Sequence, residues 1–286
     1  MPFSTATVGQ SSKPFVHEID ARWLMSYAAG LGDTAASYFD TQTQVVVGHP
    51  MFPVCLEWPA ILDCANIPGS GSVTPEERRR DVHAAHDMHI YRPIRTGDRL
   101  TTTAKVVELK KIDPGAAQTI RLDTIDRDGE LVCRTYQLGI KRDVDIIGDP
   151  ACVEASPELP TLTTPTNNDR RYEIPIAKQA AHVYTECARI WNPVHTDRGV
   201  ALAAGLPDII LHGTATMALA VSKIVNEILA GDSARVTRLG GRFRAMVFMP
   251  STLSLAVQRD AGDVISYTVF TEDNEPAVSQ GFVCYR

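Results

Sequence analysis

Two segments, Tyr27 to Tyr38 and Tyr184 to His195, each run twelve positions from a tyrosine without a gap, and the features after them repeat in the same order. An apolar stretch with a histidine comes next, His49 in the first half and His212 in the second, leading into a helix-like run. Aromatic-rich approaches to strands come after it, at Tyr91-Arg92-Pro93-Ile94 and at Phe243-Arg244-Ala245-Met246. One structural unit present twice accounts for this order, and a chain of 286 residues has room for both copies.

Between Asp143 and Pro175 lie Pro150, Pro157, Pro160, Pro165 and Pro175 among Ser, Thr, Asn and Asp. Proline removes backbone donors and restricts its neighbour, so this stretch reads as a connection. The expected organisation is an N-terminal unit over 1–145, a linker over 146–172 and a C-terminal unit over 173–286. Ile176, Ala180, Val183 and Cys187 fall on one helical stripe, as do Met217, Val221, Ile224 and Ile228. Strand-like runs cover 100–109, 118–125 and 131–140, then 253–257, 264–271 and 277–285, with Asp128-Gly129 as a hairpin signal. Helix first and antiparallel strands after predicts an α+β fold, two curved sheets each wrapped on a long central helix.

A net charge of −6 gives no reason to expect nucleic acid or an anionic membrane as partner. An anionic ligand would need a local basic patch, for which Arg189, Arg242 and Arg244 are candidates. Cys55, Cys64, Cys133, Cys152, Cys187 and Cys284 have no short spacing and read as reduced thiols. No signal peptide, membrane span or peroxisomal address is evident, so the expected compartment is the cytoplasm. His83, His86 and His89 lack a completing ligand set and lead into a strand, so no metal is expected. Gly69-Ser70-Gly71 lacks the third glycine of a dinucleotide loop, and no serine nucleophile elbow is present.

The chemistry concentrates in Asn192-Pro193-Val194-His195 and His212-Gly213. Pro193 stiffens the turn that aims Asn192 and His195. Asn192 can orient a water or carbonyl, and His195 can move a proton near neutral pH. Gly213 opens an apolar helix, where its N–H meets developing negative charge and its bare Cα lets a ligand approach. Together they suit proton transfer beside a thioester carbonyl that becomes enolate-like.

These residues resemble the MaoC-like family of hot-dog proteins, the (R)-specific enoyl-CoA hydratases and dehydratases. The resemblance rests on Tyr184, Asn192-Pro193-Val194-His195, Ala203-Ala204-Gly205, Ile209 and Leu211-His212-Gly213. It implies a double hot dog in which two fused units replace a dimer of single ones, with further homodimerisation open. It also implies hydration or dehydration of a 2-enoyl/3-hydroxyacyl thioester carried on coenzyme A or a carrier protein. Coenzyme A would be part of the substrate rather than a separate cofactor. His195 matches the family's proton-transfer histidine and Asn192 its asparagine, and Gly213 would supply the oxyanion donor. His212, Arg189, Arg242 and Arg244 are the substrate-binding candidates.

The departure is at Arg189-Ile190, where the family has Gly-Asp. Isoleucine can neither take nor give a proton, so the usual Asp–His pair is incomplete. The first half keeps Gly32-Asp33 but has Ala35 and Tyr38 in place of Asn and His. Glu186, Asp197 and Asp208 are the replacement carboxylates to consider. Two other outcomes fit this departure: an isomerase, eliminase or cyclase on the same fold, and a thioester-binding protein without catalysis.

Overall fold

Asp128-Gly129 forms the turn its residues predict. Gly129 has φ +85° and donates to the Asp126 carbonyl, while the Asp126 carboxylate accepts from the N–H groups of Asp128 and Glu130. In the computed structural model all residues are described except 1–2, 43–44, 73, 75–80, 164–168 and 261–262, so Pro165 of the expected linker lies outside them. The chain runs through α1 (Ala21–Gly30), α2 (Pro53–Asp63), β1 (Asp81–Ile90), β2 (Arg99–Ile112), β3 (Gly115–Ile125) and β4 (Leu131–Arg142). It continues through β5 (Arg170–Ile176), α3 (Ala180–Ala188), α4 (Arg198–Ala203), α5 (Gly213–Ile228), β6 (Val236–Phe243), β7 (Ser251–Asp260), β8 (Val264–Phe270) and β9 (Pro276–Tyr285), with shorter elements between.

The residues group into two compact units. The first comprises Met1–His17, Leu56–Met88 and Arg99–Leu159; the second comprises Glu18–Cys55, His89–Asp98 and Pro160–Arg286. In the first unit β2, β3 and β4 pair antiparallel in sequence order, and Ala60 of α2 packs with Ala104, Ile120 and Leu122 of the strands. Burying these apolar side chains is what holds helix to sheet. His83 and His86 lie on β1, pushed down to about 4 and about 3, each chiefly by desolvation. Among the described residues no group of His, Cys, Asp and Glu could hold a metal ion, and the six cysteines form no disulfide. No helix among them is long and apolar enough to cross a membrane.

Glu57 of α2 is buried and accepts from Thr135 Oγ1; desolvation raises its carboxyl from 4.5 to about 7, partly offset by that hydrogen bond. The folded form therefore holds a proton that the unfolded chain releases between about pH 4.5 and 7. This contribution favours folding at low pH and is lost as pH rises through that window. Glu57→Gln is expected to gain stability relative to the wild type between pH 5 and pH 8. Thermal melts of both proteins at the two pH values check this, and an unchanged difference contradicts it.

In the second unit the antiparallel sheet has the order β6-β9-β8-β7-β5 and packs against α5. Met217, Val221 and Ile224 of α5 are fully buried, as the stripe predicts, while Ile228 at the end of the helix is only partly buried. The stripe expected for the preceding helix does not hold. Ile176 ends β5, Val183 is 39 % exposed, and the buried face of α3 is Ala181, Tyr184, Thr185 and Ala188. Val183 and Cys187 of the stripe lie instead along α1, where the position a Gly30 Cβ would take is 3.8 Å from Val183 Cγ1 and 2.9 Å from Cys187 Cβ. Pro175, expected in the connecting stretch, sits in β5 opposite Thr252. β5 ends the sheet, where a missing N–H costs no ladder bond.

Candidate active site

The repeated motif places matching features side by side within the second unit. The Tyr27 and Tyr184 hydroxyls lie 3.3 Å apart; Tyr27 reaches the Met51 carbonyl and Tyr184 reaches Thr214 Oγ1. Burial pushes both phenols up, so they remain protonated. After each helix the chain reverses with a left-handed residue, Gly32 at φ +68° and Arg189 at φ +58°. The next N–H then caps the helix, Asp33 to Ala28 and Ile190 to Thr185. This explains the family glycine: Arg189 occupies the position where a Cβ costs about 1 kcal/mol or more. Its guanidinium stacks 3.9 Å from the Trp23 ring centre, which offsets part of that cost.

Pro193 starts a short 3-10 turn to His195, closed by bonds from His195 N–H to the Asn192 carbonyl and from Asp197 N–H to that of Pro193. His182 Nε2 secures the loop at the Thr196 carbonyl. His195 Nδ1 is 2.9 Å from the Ile210 carbonyl, which can only accept; Nδ1 therefore carries the proton and Nε2 holds the lone pair. Burial lowers this imidazole from 6.5 to about 4, with the Ile210 bond opposing, so it is neutral at pH 7. The His212 ring stacks on it at 3.7 Å between centres. His212 is itself buried, held neutral by desolvation and then by its histidine neighbour, and its Nε2 meets Thr185 Oγ1 at 3.2 Å. Sequence reasoning misses Thr185; its position just after Tyr184 is the signal that could have found it.

Gly213 is the first residue of α5, where N–H groups have no helical partner. A Cβ there would lie 2.9 Å from Phe243 Cδ1, so it is the Phe243 ring that fills the space beside its Cα. Arg242 and Arg244 flank Phe243 at the end of β6, where successive side chains alternate between the two faces. Arg244 Nε donates to Ser279 Oγ, and among the described residues neither arginine pairs with a carboxylate.

Among the described residues no carboxylate hydrogen-bonds His195 or His212 in place of the missing one. Ile190 is 6 % exposed. Glu186 is exposed and accepts from the Trp191 indole, Asp197 caps α4 at Val200 N–H, and Asp208 accepts from Ile209 N–H and faces Arg198. Asp33, the first-half counterpart of Ile190, is buried and accepts from Ala35 N–H and Asn226 Nδ2 rather than from His195. Tyr38 takes the place of the first-half histidine, with its ring 5.7 Å from His49.

A MaoC like domain matches residues 162–278, and a FAS1-like dehydratase domain region matches residues 6–135. The 3-hydroxyacyl-thioester dehydratase Y of Mycobacterium tuberculosis is 25 % identical over 265 residues, covering 91 % of this chain and 88 % of that protein. The peroxisomal enoyl-CoA hydratase 2 of Arabidopsis thaliana is 27 % identical over 219 residues, covering 72 % of this chain and 68 % of that one. A MaoC-like dehydratase from Phytophthora capsici superposes with a TM-score of 0.83 at 20 % identity, covering 98 % of this chain and 97 % of the other, and the shared fold is the double hot dog. The second half, which carries the Asn192, His195 and Gly213 motif, is thus a MaoC-like dehydratase domain, and the first is a FAS1-like dehydratase region.

Proposed function

We propose that this enzyme is a lyase that adds water to, or removes it from, a 2-enoyl/3-hydroxyacyl thioester, with His195 as the proton-transfer residue. One observation carries the assignment of residues: His195 is neutral, fixed at Nδ1 by Ile210, and stacked on His212 directly before the open N-terminus of α5. A thioester carbonyl oxygen seated at Gly213 N–H would gain charge as the double bond is attacked, and the helix start favours that charge. Asn192 makes no cap bond within its own turn, so its amide is available to orient water or carbonyl. The Mycobacterium and Arabidopsis relatives are a dehydratase and a hydratase, which favours water chemistry over isomerisation, cyclisation or binding alone. The test is conversion of a trans-2-enoyl-CoA, tracked by loss of its conjugated absorbance, and the reverse from the (3R)-hydroxyacyl-CoA. Conversion of neither ends this reading.

Coenzyme A is the carrier this reading favours, with Arg242 and Arg244, which form no ion pair with a carboxylate among the described residues, as the cations for its phosphates. A charge-assisted bond to phosphate contributes on the order of 1.5–3 kcal/mol. The double substitution Arg242→Ala/Arg244→Ala is therefore expected to raise KM for the CoA ester about tenfold or more, with kcat nearly unchanged. Steady-state kinetics at low and moderate salt check it, and an unchanged KM removes both residues from the binding site.

A further inference from the structure

We propose that His195 makes both proton transfers by itself, its Nε2 taking a proton from water and returning that proton to C2 of the substrate. The inference rests on the hydratase reading and says how the reaction proceeds with isoleucine at position 190. The charged and titratable residues described on its own loop and on α3 have other partners. On its own loop Asp197 caps α4, and Arg198 faces Asp208 at 3.5 Å. On α3 His182 holds the Thr196 carbonyl and Glu186 meets Trp191, while Arg189 stacks on Trp23. From the start of α5 the His212 ring stacks on it. His195 itself contacts the Ile210 carbonyl and that ring, and no carboxylate bonds either histidine among the described residues.

The step balances with one group. Nε2 accepts a proton from water as the oxygen bonds to C3. The C2–C3 π pair moves to form the enolate, whose oxygen lies at Gly213 N–H. The enolate collapses as the Nε2 proton passes to C2, restoring neutral His195 and adding one water in total. A buried imidazolium with no carboxylate partner gives up its proton readily, which favours the second half of the sequence.

The experiment is the pH dependence of kcat/KM for a trans-2-enoyl-CoA in wild type and Ile190→Asp, with folding of each checked by circular dichroism. With one group, the wild type shows a single acid limb, below about pH 5, and no falling alkaline limb up to about pH 9. A carboxylate at 190 stabilises the imidazolium, so Ile190→Asp is expected to move that limb up by at least about one unit. A bell-shaped wild-type profile overturns the inference while leaving the hydratase reading intact. Loss of the alkaline limb of such a bell in Asp197→Asn or Asp208→Asn would name the second group. If Ile190→Asp fails to fold, the wild-type profile decides alone. Absence of turnover of any enoyl thioester by the wild type overturns the hydratase reading and this inference together.

Discussion

Replacing Gly213 by proline is expected to lower kcat by about 10²–10³, the usual effect of losing one oxyanion donor. Proline removes the N–H at the first helical position, where α5 does not use it for its own ladder. The backbone before it is already suited, since His212 has φ −59° and ψ 136°, the extended conformation that a following proline requires. Any side chain at 213 also crowds Phe243, because a Cβ lies 2.9 Å from its ring. Gly213→Ala supplies the control: it brings the same crowding and keeps the N–H. The account predicts a further loss of at least about tenfold from alanine to proline, read as kcat against trans-2-enoyl-CoA. Equal losses would assign the glycine to packing on Phe243 alone.

His195→Ala is expected to lower kcat by about 10²–10⁴, the range for removing a positioned acid–base group. Stability should move the other way in mild acid. The folded imidazole sits at about 4, below the 6.5 of the unfolded chain. As pH falls from 6.5 toward 4, the unfolded chain binds a proton that the folded form refuses, and stability is lost. Removing His195 abolishes that loss, so the variant is expected to gain on the wild type between pH 7 and pH 5 in thermal melts. An inactive variant that also loses stability at pH 5 would instead describe a structural histidine.

Much of this is legible in the residues. The twelve-position repeat predicts matched motifs, and Tyr27 and Tyr184 do meet, hydroxyl to hydroxyl. Asp128-Gly129 sets its hairpin because turn chemistry is local, and the α5 stripe holds because a long, fully packed helix shows its period clearly. The α3 stripe fails because Ile176 belongs to the preceding strand and the face that is fully buried is Ala181, Tyr184, Thr185 and Ala188, while Val183 and Cys187 lie along Gly30 of α1, far off in sequence. Arg189 reads as a cation for phosphate, yet nothing local reveals that Trp23 stacks on it. The stacking of His195 on His212 and the packing of Phe243 on Gly213 are likewise tertiary contacts between distant segments. The absence of aspartate at 190 is visible at once; that Glu186, Asp197 and Asp208 serve other partners takes their hydrogen bonds to see.

The central claim is that this site adds water across the double bond of an enoyl thioester despite Ile190. The most direct measurement is incubation of the wild type with a trans-2-enoyl-CoA in water enriched in heavy oxygen, with mass spectrometry of the thioester afterwards. The account predicts a 3-hydroxyacyl-CoA carrying the heavy oxygen at C3. Recovery of unchanged substrate, or of a shifted double bond or cyclised product without label, would contradict it.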